Sequence, residues 1–180
     1  MRYAAVLAAA ALAGSAAITL AQDRGKQTRS ETRTVPAPQA QTSAAPPAKD
    51  TIFARKIMMS AMAANMDEIE AMLEPGGKFE TAEAREHADT ISVMMMAFPH
   101  LFPVATNQWK DGAERDAATD TYASPDVWKQ FPDFYARSAT ASKTALEASK
   151  AKTFKEYKTG IAELRTGCDG CHAAFMKADK

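Results

Sequence analysis

The chain has 180 residues and balances 22 Lys and Arg against 22 Asp and Glu, so its formal net charge at pH 7 is zero. Apolar residues make up 46%, with eight Gly, nine Pro and two Cys; this suits one ordinary globular domain, with or without a tail, and excludes a collagen-like chain or a disulfide scaffold. The charge balance also argues against a nucleic-acid binder that works through bulk basicity.

Met1-Arg2 gives a positive start, and Tyr3 to Leu20 is apolar or small throughout, ending at Thr19-Leu20-Ala21. Residues 1–21 are therefore read as a secretory signal peptide, cleaved after Ala21. The alternative is an uncleaved anchor, because about 18 apolar residues can just span a bilayer; the run is mostly Ala, which is only weakly apolar. No Cys stands directly after it, which argues against a lipidated N-terminus.

Residues 22–49 contain Pro36, Pro38, Pro46 and Pro47 and no large apolar side chain except Val35. Such a segment buries too little surface to offset its ordering entropy, and is read as a disordered basic linker. It is net +3, while the part from Asp50 onward is net −4. A solvated tether is the expected role; weak contact with a membrane surface or an acidic partner is the alternative.

From Asp50 to Lys180 the pattern is helical. In a first segment, Thr51 to Leu73, the apolar residues Ile52, Met59, Met62, Met66, Ile69 and Leu73 form a seam of about 3.5 residues per repeat. Pro75-Gly76-Gly77 stops it. In a second, Ala82 to Ala97, Ala84, Ala88, Ile91, Met95 and Phe98 share one face. A loop from Pro103 to Ala123 follows, holding Trp109. Ser124-Pro125 then reads as a cap followed by Pro at the first helical position. The third segment runs to Lys150, and Pro132 predicts a short leading turn before the main helix. Its stripe is Val127, Phe131, Phe134, Ser138, Ala141, Ala145 and Ala148. The fourth opens on the capping box Thr153-Phe154-Lys155-Glu156 and carries Phe154, Tyr157, Ile161, Leu164, Cys168, Cys171 and Phe175 in one seam. Four helices with narrow apolar stripes hide them only against one another, which predicts an all-α, antiparallel four-helix bundle over 50–180.

The chemistry lies in the last helix, in Cys168-Asp169-Gly170-Cys171-His172. Residues three and four apart share a helix face, so both thiols and the imidazole project to one side. The spacing C-x-x-C-H is the haem c attachment signature: two thiols add across two vinyl groups, and the next residue presents its imidazole to the iron. A thioredoxin-like pair sits in a βαβ context that this chain lacks. A zinc site needs further ligands from distant His87, His100 or carboxylates. A disulfide across three helical residues is strained. With the secretory signal and no other Cys, one covalently bound haem c is the favoured reading. His87 is expected on a solvated face, and His100 in a loop away from the iron. Eight of the ten Met fall between Met58 and Met96; as a set they read as adaptable core filler around an irregular group.

With its motif in the last helix of four, close to the C-terminus, the chain resembles the class II c-type cytochromes: cytochrome c′ and its low-spin relatives of the cytochrome c-556 type. The resemblance covers Asp50 to Lys180. It includes the Arg55 to Met66 stretch of the first helix, the Phe102-Pro103 loop, Ser124-Pro125-Asp126-Val127-Trp128, and CDGCH with Phe175 following. It implies that Met59, four residues after Arg55, faces the distal side of the iron. A Met at this place ligates iron in low-spin members; in cytochrome c′ the place leaves iron five-coordinate, in some members even with Met there. It also implies that Arg55 lies near the haem propionates, with an exposed ion pair as the plainer alternative. One departure stands out: the family continues its motif His-x-x-(Phe/Tyr)-Arg, whereas here the residues are His172-Ala173-Ala174-Phe175-Met176.

The expected function is a periplasmic electron carrier rather than an enzyme, with His172 and Met59 as axial ligands and redox proteins as partners. Gas binding (NO or CO) at a five-coordinate iron is the alternative. A homodimer through the first two helices is compatible with the off-seam residues Met58 and Met94.

Overall fold

A computed structural model describes residues 45–113, 116 and 119–177; the signal and linker expectations, apart from the last few linker residues, lie outside these. Five α-helices follow in chain order: α1 Ala48–Leu73, α2 Thr81–Ala97, α3 Asp126–Lys129, α4 Phe131–Ser149 and α5 Phe154–Phe175. Short 3-10 turns at Phe98–Leu101 and Val104–Thr106 lie between α2 and α3. No strand occurs among the described residues, only an isolated antiparallel bridge between Ala123 and Met176.

Helix α1 begins at Ala48, three residues ahead of the expected start, directly after Pro47. It ends where Glu74 takes an extended conformation and Gly76 adopts a positive φ of 89°, a backbone state that favours glycine. The Pro132 expectation holds: α3 is a single turn, and α4 starts at Phe131 with Pro132 in its first turn, where a missing N–H costs no helical bond. Ser124 Oγ accepts from the Asp126 backbone N–H at 3.2 Å at the start of α3. Helix α5 carries the complete capping box: Thr153 Oγ1 accepts from Glu156 N–H at 3.2 Å, and Glu156 Oε2 accepts from Thr153 N–H at 3.2 Å.

Helices α1, α2 and α4 pack in sequence, and α4 packs on α5. The α2 stripe Ala84, Ala88, Ile91, Met95 and Phe98 is buried, as are Tyr157, Ile161, Leu164 and Phe175 of α5. Burying an Ile or Leu side chain contributes about 1.5–3 kcal/mol, so these stripes hold the bundle together. The α2–α4 seam is close because its residues are small: Ser142 Oγ donates to Ser92 O at 2.8 Å, and Ser138 Oγ to Met95 O at 2.6 Å. Between α4 and α5 a Cβ on Gly160 would stand 3.1 Å from that of Ala148. Phe154 departs from the expected seam; at the first turn of α5 it is exposed and meets Phe79 edge-on at 4.8 Å.

Helices α1 and α5 close the ring without packing directly along their backbones. Arg165 of α5 pairs with Glu70 of α1 through two nitrogens, at 2.6 and 2.7 Å. Beyond that bridge the two helices are separated by a hollow.

Candidate haem site

The hollow has two connected parts. The outer one, of about 350 Å³, is bounded by Arg55, Met59, Phe102, Tyr122, His172 and Met176, among others. The inner one, of about 80 Å³, reaches Met62, Met66, Met95 and Cys168. Met59, Ala63, Phe98, Phe134, Cys171 and His172 line both, so α1 and α5 face each other across one apolar slot.

Each wall follows from local sequence. Helix α5 runs unbroken through the CDGCH motif, which puts Cys168, Cys171 and His172 on one face, one turn apart. Both cysteines are free and half-buried. Burial holds both thiols above the ordinary cysteine range, against the attraction of Arg165 at Cys168 and of Arg137 at Cys171. The opposite wall is α1, where Met59 is half-buried in the slot. The aromatic floor is built from Phe98, Phe102, Phe134 and Phe175, with Phe102–Phe134 and Phe134–Phe175 meeting edge-on at 4.7 and 5.4 Å. The rim near Met176 is pinned where Ser124 N–H donates to Phe175 O at 2.8 Å and Lys177 N–H to Tyr122 O at 2.9 Å.

Arg55 is only 4% exposed, so the exposed ion pair does not describe it. Its Nη1 donates to Thr106 Oγ1 at 2.9 Å and to Leu101 O at 3.4 Å. Its Nη2 donates to Thr121 Oγ1 at 2.5 Å and Thr106 O at 3.3 Å. The guanidinium stacks 4.6 Å from the Phe102 ring centroid and 5.7 Å from that of Trp128. Burial pulls its pKa down to about 10, so it stays charged at neutral pH. Among the described residues no carboxylate pairs with it, although a buried charge without a counter-charge is costly. That uncompensated cation, on the lining of an apolar slot, suits an anionic group on the slot's occupant.

The remaining histidines lie away from the slot. His100 is exposed and meets the Tyr135 ring edge-on at 6.4 Å. His87 corrects the expectation of a solvated side chain: it is half-buried, Nδ1 lies 2.8 Å from Asn65 Oδ1, and Nε2 is 3.9 Å from Glu83 Oε1. It sits on the α1-facing side of α2 because Asn65 offers a polar partner there. Trp128 is tied into the site wall, its Nε1–H donating to Phe102 O at 3.0 Å. The sequence reading missed that Thr106 and Thr121, isolated hydroxyls in an irregular loop, clamp Arg55. Neither sits in a periodic pattern that would have marked it.

Two thiols and an imidazole in C-x-x-C-H spacing, at the lip of an apolar slot with a buried cation at its other end, define a c-type haem protein built on a four-helix bundle. The family described as Cytochrome C′ matches residues 50–176. A cytochrome c′ from Pararhodospirillum photometricum is 31% identical over 99 residues, covering 53% of this chain and 72% of the relative. A cytochrome c-556 from Agrobacterium fabrum is 28% identical over 123 residues, covering 67% and 77%. The solved cytochrome c′ of Rhodopseudomonas palustris superposes with a TM-score of 0.63 at 25% identity, over 73% of this chain and 98% of that one. The chain belongs to the cytochrome c′ family of electron-transferring and gas-binding haem proteins, and its cofactor is covalently attached haem c.

Proposed function

We propose that the protein carries single electrons in the periplasm, with His172 and Met59 as the two axial ligands of its haem iron and Cys168 and Cys171 as its thioether attachments. The observation that carries this reading is the placement of Met59: it lines both parts of the slot, on the helix opposite His172. When bound, the haem supplies a reversible Fe(III)/Fe(II) couple. A thioether ligand favours the reduced iron, and two fixed ligands keep reorganisation small. Arg55 supplies a positive charge for the propionates, consistent with its burial beside the slot and with no carboxylate pairing with it among the described residues. Redox proteins dock where the slot opens, between Tyr122 and Met176. This is a carrier and not an enzyme, and members of the family work in the bacterial periplasm.

The second reading is a five-coordinate iron that binds NO or CO. The apolar lining on the Met59 side favours it, because Ala63, Phe98 and Phe134 offer no competing donor there. Replacing Met59 by Leu separates the two. A carrier with Met59 on the iron changes from a low-spin to a high-spin spectrum and gains CO binding. An unchanged spectrum removes Met59 as a ligand.

A homodimer is the third element of the proposal. Phe53, Ile57, Val93 and Met96 of α1 and α2 are all more than half exposed, and a cytochrome c′ of the same fold shows ligand-controlled dimer dissociation. No helix among the described residues is long and apolar enough to cross a membrane.

A further inference from the structure

Between Arg165 and Lys177, α5 carries Asp169 and no Lys or Arg. Arg165 itself lines the inner slot on the Cys168 side, paired with Glu70, and the cation beside the second cysteine is Arg137 of α4. Arg137 lines the inner slot together with Cys168, Cys171 and His172, whereas its ion-pair partner Asp133 does not. Arg137 Nη1 lies 3.8 Å from where a Cβ on Gly170 would stand, so the side chain runs along the α5 backbone inside the motif. Its Cζ is 5.8 Å from the Phe175 ring centroid, within the roughly 6 Å reach of a cation–π contact. Asp133, one turn earlier on α4, holds Arg137 Nε at 3.0 Å and fixes the rotamer.

We propose that Arg137 is a positioning residue for the proximal side of the haem: braced by Asp133, its guanidinium sets a positive field at Cys171 and His172 that favours reduced over oxidised iron. The inference rests on Cys168, Cys171 and His172 holding the haem. Oxidising the iron adds one positive charge. A fixed cation nearby opposes that step, more strongly in a partly buried site than in water. Arg137 is 44% exposed at its side chain, so solvent and salt weaken the effect without abolishing it. Asp133 offsets part of the charge, but it stands outside the slot while the guanidinium faces in. The orientation of the pair decides the sign.

The test is a redox titration of the haem-loaded protein, with thermal unfolding of each variant alongside. Arg137→Gln is expected to shift the Fe(III)/Fe(II) equilibrium toward ferric by roughly threefold or more. Arg137→Lys keeps the charge and retains most of the wild-type value. Asp133→Asn removes the offsetting carboxylate and shifts the equilibrium the other way. Lys143→Gln deletes an equal charge from α4 at an exposed position paired with Glu147, and moves the equilibrium by less than half as much as Arg137→Gln. An equilibrium unmoved by Arg137→Gln, or moved equally by Lys143→Gln, overturns the proposal even if Arg137→Gln lowers thermal stability. Absence of haem absorption in the wild-type protein would overturn the haem site itself, and this inference with it.

Discussion

Arg55 Nη2 on α1 donates to Thr121 Oγ1 at 2.5 Å, joining residues 66 positions apart. With the bonds to Thr106 and Leu101, one side chain ties three points of the segment between α2 and α3 to α1. Arg55 also lines the slot, so one residue joins the loop to the wall of the slot.

Replacing Arg55 by Met keeps the apolar stem but removes every donor. Thr106 and Thr121 lose the bonds from the guanidinium while keeping those to Pro103 O and from Ala123 N–H, and the segment that carries Phe102 is loosened. Hydrogen bonds to a charged group contribute about 1.5–3 kcal/mol each when buried, so chemical denaturation is expected to show a loss on the order of 2 kcal/mol. Haem is expected to remain covalently attached, because Cys168 and Cys171 are untouched.

Tyr157 donates from its hydroxyl to Ala84 O at 2.6 Å in the core. Tyr157→Phe removes the side-chain donor and leaves that carbonyl only its helical bond, at a cost of about 1 kcal/mol. Burial raises the phenol well above its ordinary value of 10. The folded state therefore keeps the proton while the unfolded state releases it. That contribution is complete below pH 10 and is lost as pH rises above it. Unfolding midpoints measured from pH 8 upward should fall more steeply for the wild type than for Tyr157→Phe.

The capping box at the start of α5 supports the helix that carries the motif. Thr153→Ala removes the acceptor for Glu156 N–H and is expected to cost about 1 kcal/mol. The haem spectrum should be unchanged, because the cap is at the opposite end of α5 from His172. A spectral change would mean that α5 transmits strain along its length.

The roles proposed for the two cysteines are separable from that proposed for His172. Cys168→Ser and Cys171→Ser should each leave a single thioether, and the double variant none, when haem is followed through denaturing electrophoresis. His172→Ala should impair attachment and lose the proximal ligand. A normal haem yield and spectrum in His172→Ala would contradict the site.

The bundle was legible in the sequence because its cores are periodic. The stripe from Ala84 to Phe98 is buried throughout, and Pro132 splits the third segment where its ring requires. The geometry of the motif was equally legible, since Cys168, Cys171 and His172 lie within five positions of one helix. The clamp on Arg55 was not: it depends on Thr106 and Thr121, two hydroxyls in a loop without period, brought to the helix only by tertiary folding. Arg137 was hidden for a different reason. With Asp133 four residues before it, it has the spacing of an ordinary surface pair, and only the packing of α4 on α5 turns its guanidinium toward Gly170. Phe154 shows the limit of seam counting, for a residue in the first turn of a helix has no neighbouring turn to cover it.

In the proposed carrier, His172 and Met59 hold the iron from opposite helices. The most direct measurement is the absorption spectrum of the haem-loaded protein, oxidised and reduced, with and without CO. A low-spin spectrum in both oxidation states that CO leaves unmoved is the predicted result. A high-spin spectrum that shifts on adding CO would contradict Met59 ligation and make gas binding the function of the slot.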